Sequence, residues 1–205
     1  LKAVDARGRL FDTATPAGAM LAVAASVDEL AARFGFGTDL FVAGINGPEQ
    51  TVVSGTQAAI TQVQDAMVAA GKRVSLLKTY GTPGHSPMLR SMREAFRQAL
   101  EPLTLAAPAI PIVSTLTGAL ATDAIASVEH WLDLVEQPVR FHEALLAASD
   151  GKTIFVEVGP GAALSKLARA AAGGDWQCAV SSLADGPDGD EETESTGFAH
   201  ACARL

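Results

Sequence analysis

The sequence predicts an α/β protein, and three observations carry that reading. Between residues 17 and 79, apolar runs and amphipathic segments follow one another in the order β-α-β-β-α-β, the split βαβ or ferredoxin-like pattern. After residue 80, helical segments alternate with short apolar strands, which suggests a parallel layer. The chain's 205 residues, 48% of them hydrophobic, suffice to bury a core in one domain or two small ones.

Residues 1–14 read as helix, because Leu1, Val4, Leu10 and Phe11 fall near helical spacing while Lys2, Asp5, Arg7 and Arg9 are polar. Thr15-Pro16-Ala17-Gly18 ends it. Gly18 to Ala25 is a continuous small-apolar run, expected to be a buried strand. Ser26-Val27-Asp28-Glu29 has the capping-box pattern and opens a helix to about Phe34. Strands at Leu40–Asn46 and Thr51–Ser54, joined by the turn Gly47-Pro48-Glu49-Gln50, form a hairpin with Asn46 at its mouth. Thr56 caps a helix with Ile60, Val63, Met67 and Val68 on its apolar side, and Gly71 stops it. Arg73 to Lys78 supplies the last strand of the block.

Beyond it, a helix is expected from about Met88 to Leu100 and a strand at Ile112–Leu116. Helices at 128–135 and 141–148 are interrupted by Gln137-Pro138-Val139-Arg140. Thr153 to Val158 reads as a buried strand, and Gly159-Pro160-Gly161 turns from it into a helix at 162–171. Ala179 to Ser182 is a short last strand. The acidic, Gly/Pro/Ser-rich stretch 185–195 reads as a linker.

Composition excludes several classes. A net charge of −8 with only 15 Lys and Arg argues against a nucleic-acid partner. No apolar run reaches the ~18–20 residues that span a bilayer, so no membrane is expected, and no signal peptide is visible. The chain opens inside what reads as a helix, which leaves room for a segment upstream. Cys178 and Cys202 lack metal-ligand or CxxC spacing and suggest free thiols in a reducing cytoplasm, and no metal site is expected.

The stretch Tyr80-Gly81-Thr82-Pro83-Gly84-His85-Ser86-Pro87-Met88 sets a histidine among two glycines and two prolines, a path specified by the backbone. His85 is therefore a candidate general base, weighed against an ordinary loop histidine. Ser86 is a poor nucleophile candidate, because Pro87 removes an N–H that an oxyanion hole needs and Met88 is not small. The chain contains no G-x-S-x-G motif. Gly159-Pro160-Gly161 lacks the third glycine and the Lys-Ser/Thr of phosphate loops and is read as a tight turn. Asp133 and Glu136 are read as solvated on a helix face, and Glu157 as needing a hydrogen-bond partner. Arg7 stands nearer the packed side of its helix than Arg9, where a guanidinium can hold a carboxylate bidentately.

Six segments together resemble the malonyl-CoA:acyl-carrier-protein transacylase family, in particular the acyltransferase domain of bacterial type I polyketide synthases. They are Ala6–Leu10, Gly18–Val23, Asn46-Gly47-Pro48 with Val52–Gly55, His85-Ser86-Pro87, Gln137–Phe141 and Phe155–Pro160. The resemblance runs from about Leu1 to Leu183 and aligns this chain with the C-terminal two-thirds of such a domain. It implies an α/β-hydrolase-like large subdomain, partial here, with an inserted ferredoxin-like subdomain. The implied division is 1–16 and 80–183 for the large subdomain, 17–79 for the small one, and 184–205 for a post-domain linker and the start of a further segment.

The resemblance further implies transfer of a malonyl extender unit from coenzyme A, through a serine, to the phosphopantetheine thiol of an acyl carrier protein domain. A ketosynthase domain is the implied neighbour, and no bound cofactor is implied. By motif, His85 is the base, Arg7 pairs with the malonyl carboxylate, Asn46 lines the site, and the backbone carbonyl of Leu134 orients the histidine. The serine elbow is expected upstream of Leu1. Thr82, Pro83 and Gly84 take the place of the family's substrate-selecting residues. Gly84 leaves room for a methyl- or ethylmalonyl branch, unless Pro83 resets the loop and fills that room. The variant is similar to iterative, enediyne-type synthases, which favours malonyl. The competing class is a non-catalytic docking fragment of a synthase.

Overall fold

A computed structural model describes residues 1–79, 81–150, 153–159, 161–171 and 179–182. Tyr80, Pro160, Cys178, Cys202 and the acidic stretch 185–195 lie outside the described residues. Contacts group the chain into two compact units, 1–147 and 148–205.

The first unit opens with α1 (Lys2–Ala14), followed by β1 (Ala19–Val23), α2 (Val27–Phe34), β2 (Leu40–Gly47), β3 (Gln50–Gly55), α3 (Gln57–Ala69) and β4 (Val74–Leu76). The four strands form one sheet in the order β2-β3-β1-β4, every neighbouring pair antiparallel. Interleaving two βαβ units in this way is the ferredoxin-like topology. Side chains alternate between its faces. Ala19, Leu21 and Val23 of β1, with Val53 and Leu40, bury against Leu30 of α2 and Ile60, Val63 and Met67 of α3. Met20, Ala43 and Val52, with Ala22 and Leu77, make a separate apolar cluster.

Both N-caps form, but the Glu29 side chain does not complete the capping box. Ser26 Oγ accepts from the Glu29 amide (3.2 Å), and Thr56 Oγ1 accepts from the Ala59 amide (3.3 Å). Each such cap contributes about 1 kcal/mol. The Glu29 carboxylate itself pairs with Lys72 (2.8 Å). Val68 does not join the core of α3 and is 56% exposed. It lies ~80° around the helix from Ile60, outside the stripe that Ile60, Val63 and Met67 define.

Next come a 3₁₀ turn at Pro87–Met92, α4 (Arg93–Leu100), the two-residue strands β5 (Val113–Ser114) and β6 (Ala119–Leu120), α5 (Val128–Glu136) and α6 (Phe141–Ala148). The helix expected from Met88 thus begins as 3₁₀, since Pro87 fixes the entry and has no N–H to give. β5 and β6 pair antiparallel as a hairpin. A second core joins Leu89, Met92, Phe96 and Leu100 to Leu132 and Val135 of α5, with Ala3, Ala6, Leu10 and Phe11 of α1 packed against it.

In the second unit, β7 (Phe155–Glu157) pairs with β8 (Ala179–Ser181) in parallel, beside α7 (Ala163–Ala171). The strand read as buried is not: Ile154, Val156 and Val158 are exposed. A two-stranded ladder leaves surface on both faces that a wider layer would cover. Glu157 has its partners, the amides of Leu164 (3.1 Å) and Ser165 (2.9 Å). Burial raises its pKa, but these hydrogen bonds outweigh burial and hold the carboxyl below its usual range. The first turn of α7 is therefore served by the protein's own carboxylate. Among the described residues no helix is long and apolar enough to cross a membrane.

Candidate active site

After β4 the chain is tied back to β1 of the sheet. The Leu77 amide donates to Met20 O (2.9 Å), and the Gly18 amide donates to Gly81 O (2.8 Å). Pro83 is fully buried. A Cβ on Gly18 would stand 2.7 Å from Pro83 Cβ and 2.6 Å from Gly55 O, so a glycine is what lets these segments cross. Gly84 is also buried, and a Cβ there would meet Met20 Sδ at 3.2 Å. Thr82 is half-buried, its amide held by Thr79 O (3.1 Å).

Ser86 closes the turn. It is fully buried and donates its hydroxyl to Pro83 O (2.8 Å), a structural position that suits the poor nucleophile read from the motif. Between Pro83 and Ser86, His85 is held at φ 53°, the left-handed region, the one non-glycine residue so placed among the described residues. Such a conformation costs about 1–3 kcal/mol and persists only where its surroundings over-determine it.

The imidazole is fixed from α5. His85 Nδ1 lies 3.0 Å from Leu134 O. A carbonyl can only accept, so Nδ1 carries the proton and Nε2 presents its lone pair. Leu134 O is available for a reason written in the sequence. Four residues on, where a continuing helix would supply the donor, stands Pro138, which has no N–H. The helix ends instead with the Gln137 amide on Asp133 O (2.9 Å). Burial lowers the pKa of His85, backbone hydrogen bonding to Leu134 and Gln137 opposes it, and the positive charge of Arg7 adds to the lowering. The net shift is downward, toward a neutral, proton-accepting ring.

Arg7 is thus close enough to act electrostatically on His85. It is exposed on α1, with its guanidinium 5.8 Å from the centre of the Phe11 ring. Arg9 is paired with Asp5 (3.1 Å), whereas Arg7 has no carboxylate partner among the described residues. Asn46 is brought in less directly. It sits at an irregularity in β2, where the register with β3 shifts between Ile45 and Gly47. The opposite, free edge of β2 is bonded to the segment after α5: Val139 N donates to Ala43 O (2.9 Å), and Ile45 N donates to Val139 O (2.8 Å). That two-bond clamp fixes the small sheet to the end of α5 that carries Leu134 O.

Two features escaped the sequence. Asp133 and Glu136 are not simply solvated: Glu136 is buried and bonded to Arg93 (2.9 Å), and Asp133 pairs with the same guanidinium (3.0 Å). Arg93 also meets Glu129 (2.8 Å), and Arg97 pairs with Glu129, so α4 and α5 are riveted beside the histidine. Charges at 129, 133 and 136 follow helical spacing, a signal that could have prompted a search for cations on a facing helix. The other feature is Met20, whose meeting with Gly84 no local pattern announces.

Residues 1–181 match the model of the acyl transferase domain family. The chain is 38% identical over 169 residues to polyketide synthase GfsB of Streptomyces halstedii, covering 80% of this chain and 3% of that protein. It is 39% identical over 163 residues to the phenolphthiocerol synthesis polyketide synthase type I Pks15/1 of Mycobacterium bovis, covering 79% and 8%. Among solved structures, the acyl transferase domain of SpnD in complex with 2-(pent-4-yn-1-yl)malonyl is similar at a TM-score of 0.88 and 31% identity, over 98% of this chain and 48% of that one. The acyltransferase domain of an iterative polyketide synthase in enediyne biosynthesis is similar at 0.78 and 34%, over 98% and 52%. The chain spans about half the length of these two structures and a small part of the curated synthases.

Proposed function

This chain belongs to the acyl transferase domain family, of the polyketide-synthase type, and on that footing we propose that it carries the base and the carboxylate-binding residue of a malonyl-transferring site. The observation that carries the reading is the His85 Nδ1–Leu134 O hydrogen bond (3.0 Å), which leaves Nε2 free to accept a proton. The serine served by that base is not present in these 205 residues in a G-x-S-x-G setting, and the reading takes it from a separate elbow segment.

Nε2 takes the serine proton as the serine oxygen attacks the thioester carbonyl of malonyl-CoA. Collapse of the tetrahedral intermediate breaks the C–S bond and forms the serine ester, and His85 returns its proton to the coenzyme A thiolate. The phosphopantetheine thiol of an acyl carrier protein domain then repeats the sequence in reverse, with His85 taking the thiol proton. Arg7 pairs with the free malonyl carboxylate and so selects for a dicarboxylic acyl group. Its lack of a carboxylate partner among the described residues supports that role. Asn46, Thr82 and Gly84 form the remaining substrate-facing set, with Pro83, fully buried against the Gly18 position, behind them. In a multidomain synthase the neighbour is a ketosynthase domain.

The test uses the full-length chain, meaning these 205 residues together with the elbow segment that carries the serine. Incubation with malonyl-CoA is expected to give a covalent malonyl-enzyme, detected by intact mass, that discharges onto a phosphopantetheinylated carrier protein. Absence of both the adduct and the transfer would overturn the reading.

A further inference from the structure

The acyl group on a serine served by His85 must lie close to its imidazole, and therefore beside residue 84, whose Cα is about 3.8 Å from that of His85. A wall is expected from the side chain at 84, and this chain has none there. The gap is nonetheless closed. Gly84 is buried, and the direction in which its Cβ would point ends on Met20 Sδ at 3.2 Å, with Met20 Cε at 3.8 Å. Met20 is itself buried, in a cluster with Ala43 and Val52, and its backbone carbonyl holds Leu77 at the start of the loop. It thus reaches position 84 from a different strand, with the side chain and the loop fixed to each other.

We propose that Met20 is a specificity-determining residue of the acyl site, its thioether standing where a larger residue at 84 would and restricting the site to the unbranched malonyl group. The inference rests on the transfer reading above. An unbranched thioether with three rotatable bonds fills an irregular gap well, and it yields more readily than a ring. The wall is therefore adjustable: shortening Met20 opens space beside Gly84 for a substituent on the malonyl C2 atom. Pro83 does not supply this filler, since it is fully buried with Cβ and Cγ against the Gly18 position.

The experiment compares Met20→Ala, Met20→Leu and Val52→Ala with wild type in the full-length chain, measuring kcat/KM for malonyl-CoA and methylmalonyl-CoA. One methyl in an apolar pocket is worth roughly tenfold or more in discrimination. Met20→Ala is expected to shift the methylmalonyl-to-malonyl ratio upward by about that factor. Met20→Leu conserves volume, so it keeps the fold while withdrawing the terminal methyl, and its ratio is expected to move in the same direction by less. Val52→Ala removes volume from the same cluster without facing Gly84, and its ratio is expected to stay at the wild-type value. An unchanged ratio in both Met20 variants, or an equal rise in Val52→Ala, would overturn the inference while leaving malonyl transfer standing. Wild type that takes up neither thioester would overturn both.

Discussion

At the scale of single residues, the site depends on what His85 is prevented from doing. Its backbone is held at φ 53° by buried Pro83 and Ser86, and its Nδ1–H is committed to Leu134 O. Only Nε2 remains for chemistry. Because burial dominates its downward pKa shift, the protonated ring is disfavoured in the folded state. The acid limb of kcat/KM for malonyl-CoA is therefore expected below pH 6.5, the ordinary histidine value, and a limb above it would contradict this environment. The same shift has a stability sign. The unfolded chain binds the proton more tightly, so the contribution of His85 is present above pH 6.5 and is lost as pH falls through the lower folded value. Arg7 is tested by substrate preference. Arg7→Ala in the full-length chain is expected to lower malonyl-CoA use by roughly 10- to 10²-fold while sparing acetyl-CoA, since a charge-assisted pair is worth about 1.5–3 kcal/mol. An unchanged malonyl-to-acetyl ratio would refute the pairing.

At the scale of elements, three helices and one strand edge bring these residues together. α1, α4 and α5 share a core, and the Arg93 cluster adds ion pairs across α4 and α5. Arg93→Met strands the nearly buried Glu136 carboxylate, with only the long contact to Arg90 (3.7 Å) remaining. The expected cost is about 3 kcal/mol. Arg97→Met removes a more exposed, solvent-screened pair with Glu129 and is expected to cost less. Urea midpoints of the full-length chain, with hydrogen exchange over α4 and α5, measure both; equal losses would contradict the ranking. The helix caps at Ser26 and Thr56 were legible because a cap is a local hydrogen bond with a fixed spacing. The Arg93 cluster was not, because a charge pattern on one helix does not name its partner 36–43 residues away. Val68 failed for a related reason: periodicity locates a stripe but not how far the facing sheet extends over its margin.

At the scale of the molecule, the ferredoxin-like block was readable because each strand and helix in 17–79 carries its own apolar period and its own stop signals. The exposed strand around Val156 was misread because an apolar run reports a preference for burial without saying what does the burying. His85, Arg7 and Leu134 are put forward by motif, and what unites them is tertiary: the bonds from Val139 to β2 fix the small sheet against α5, and Pro138 leaves the Leu134 carbonyl without its helical donor. The meeting of Met20 with Gly84 spans 64 positions and belongs to that same class of fact. The central claim is that His85 is the proton acceptor in acyl transfer. Its most direct test is the rate of malonyl-enzyme formation from malonyl-CoA in the full-length chain, wild type against His85→Ala. A loss of about 10²–10⁴-fold is expected, and labelling at the wild-type rate would contradict it.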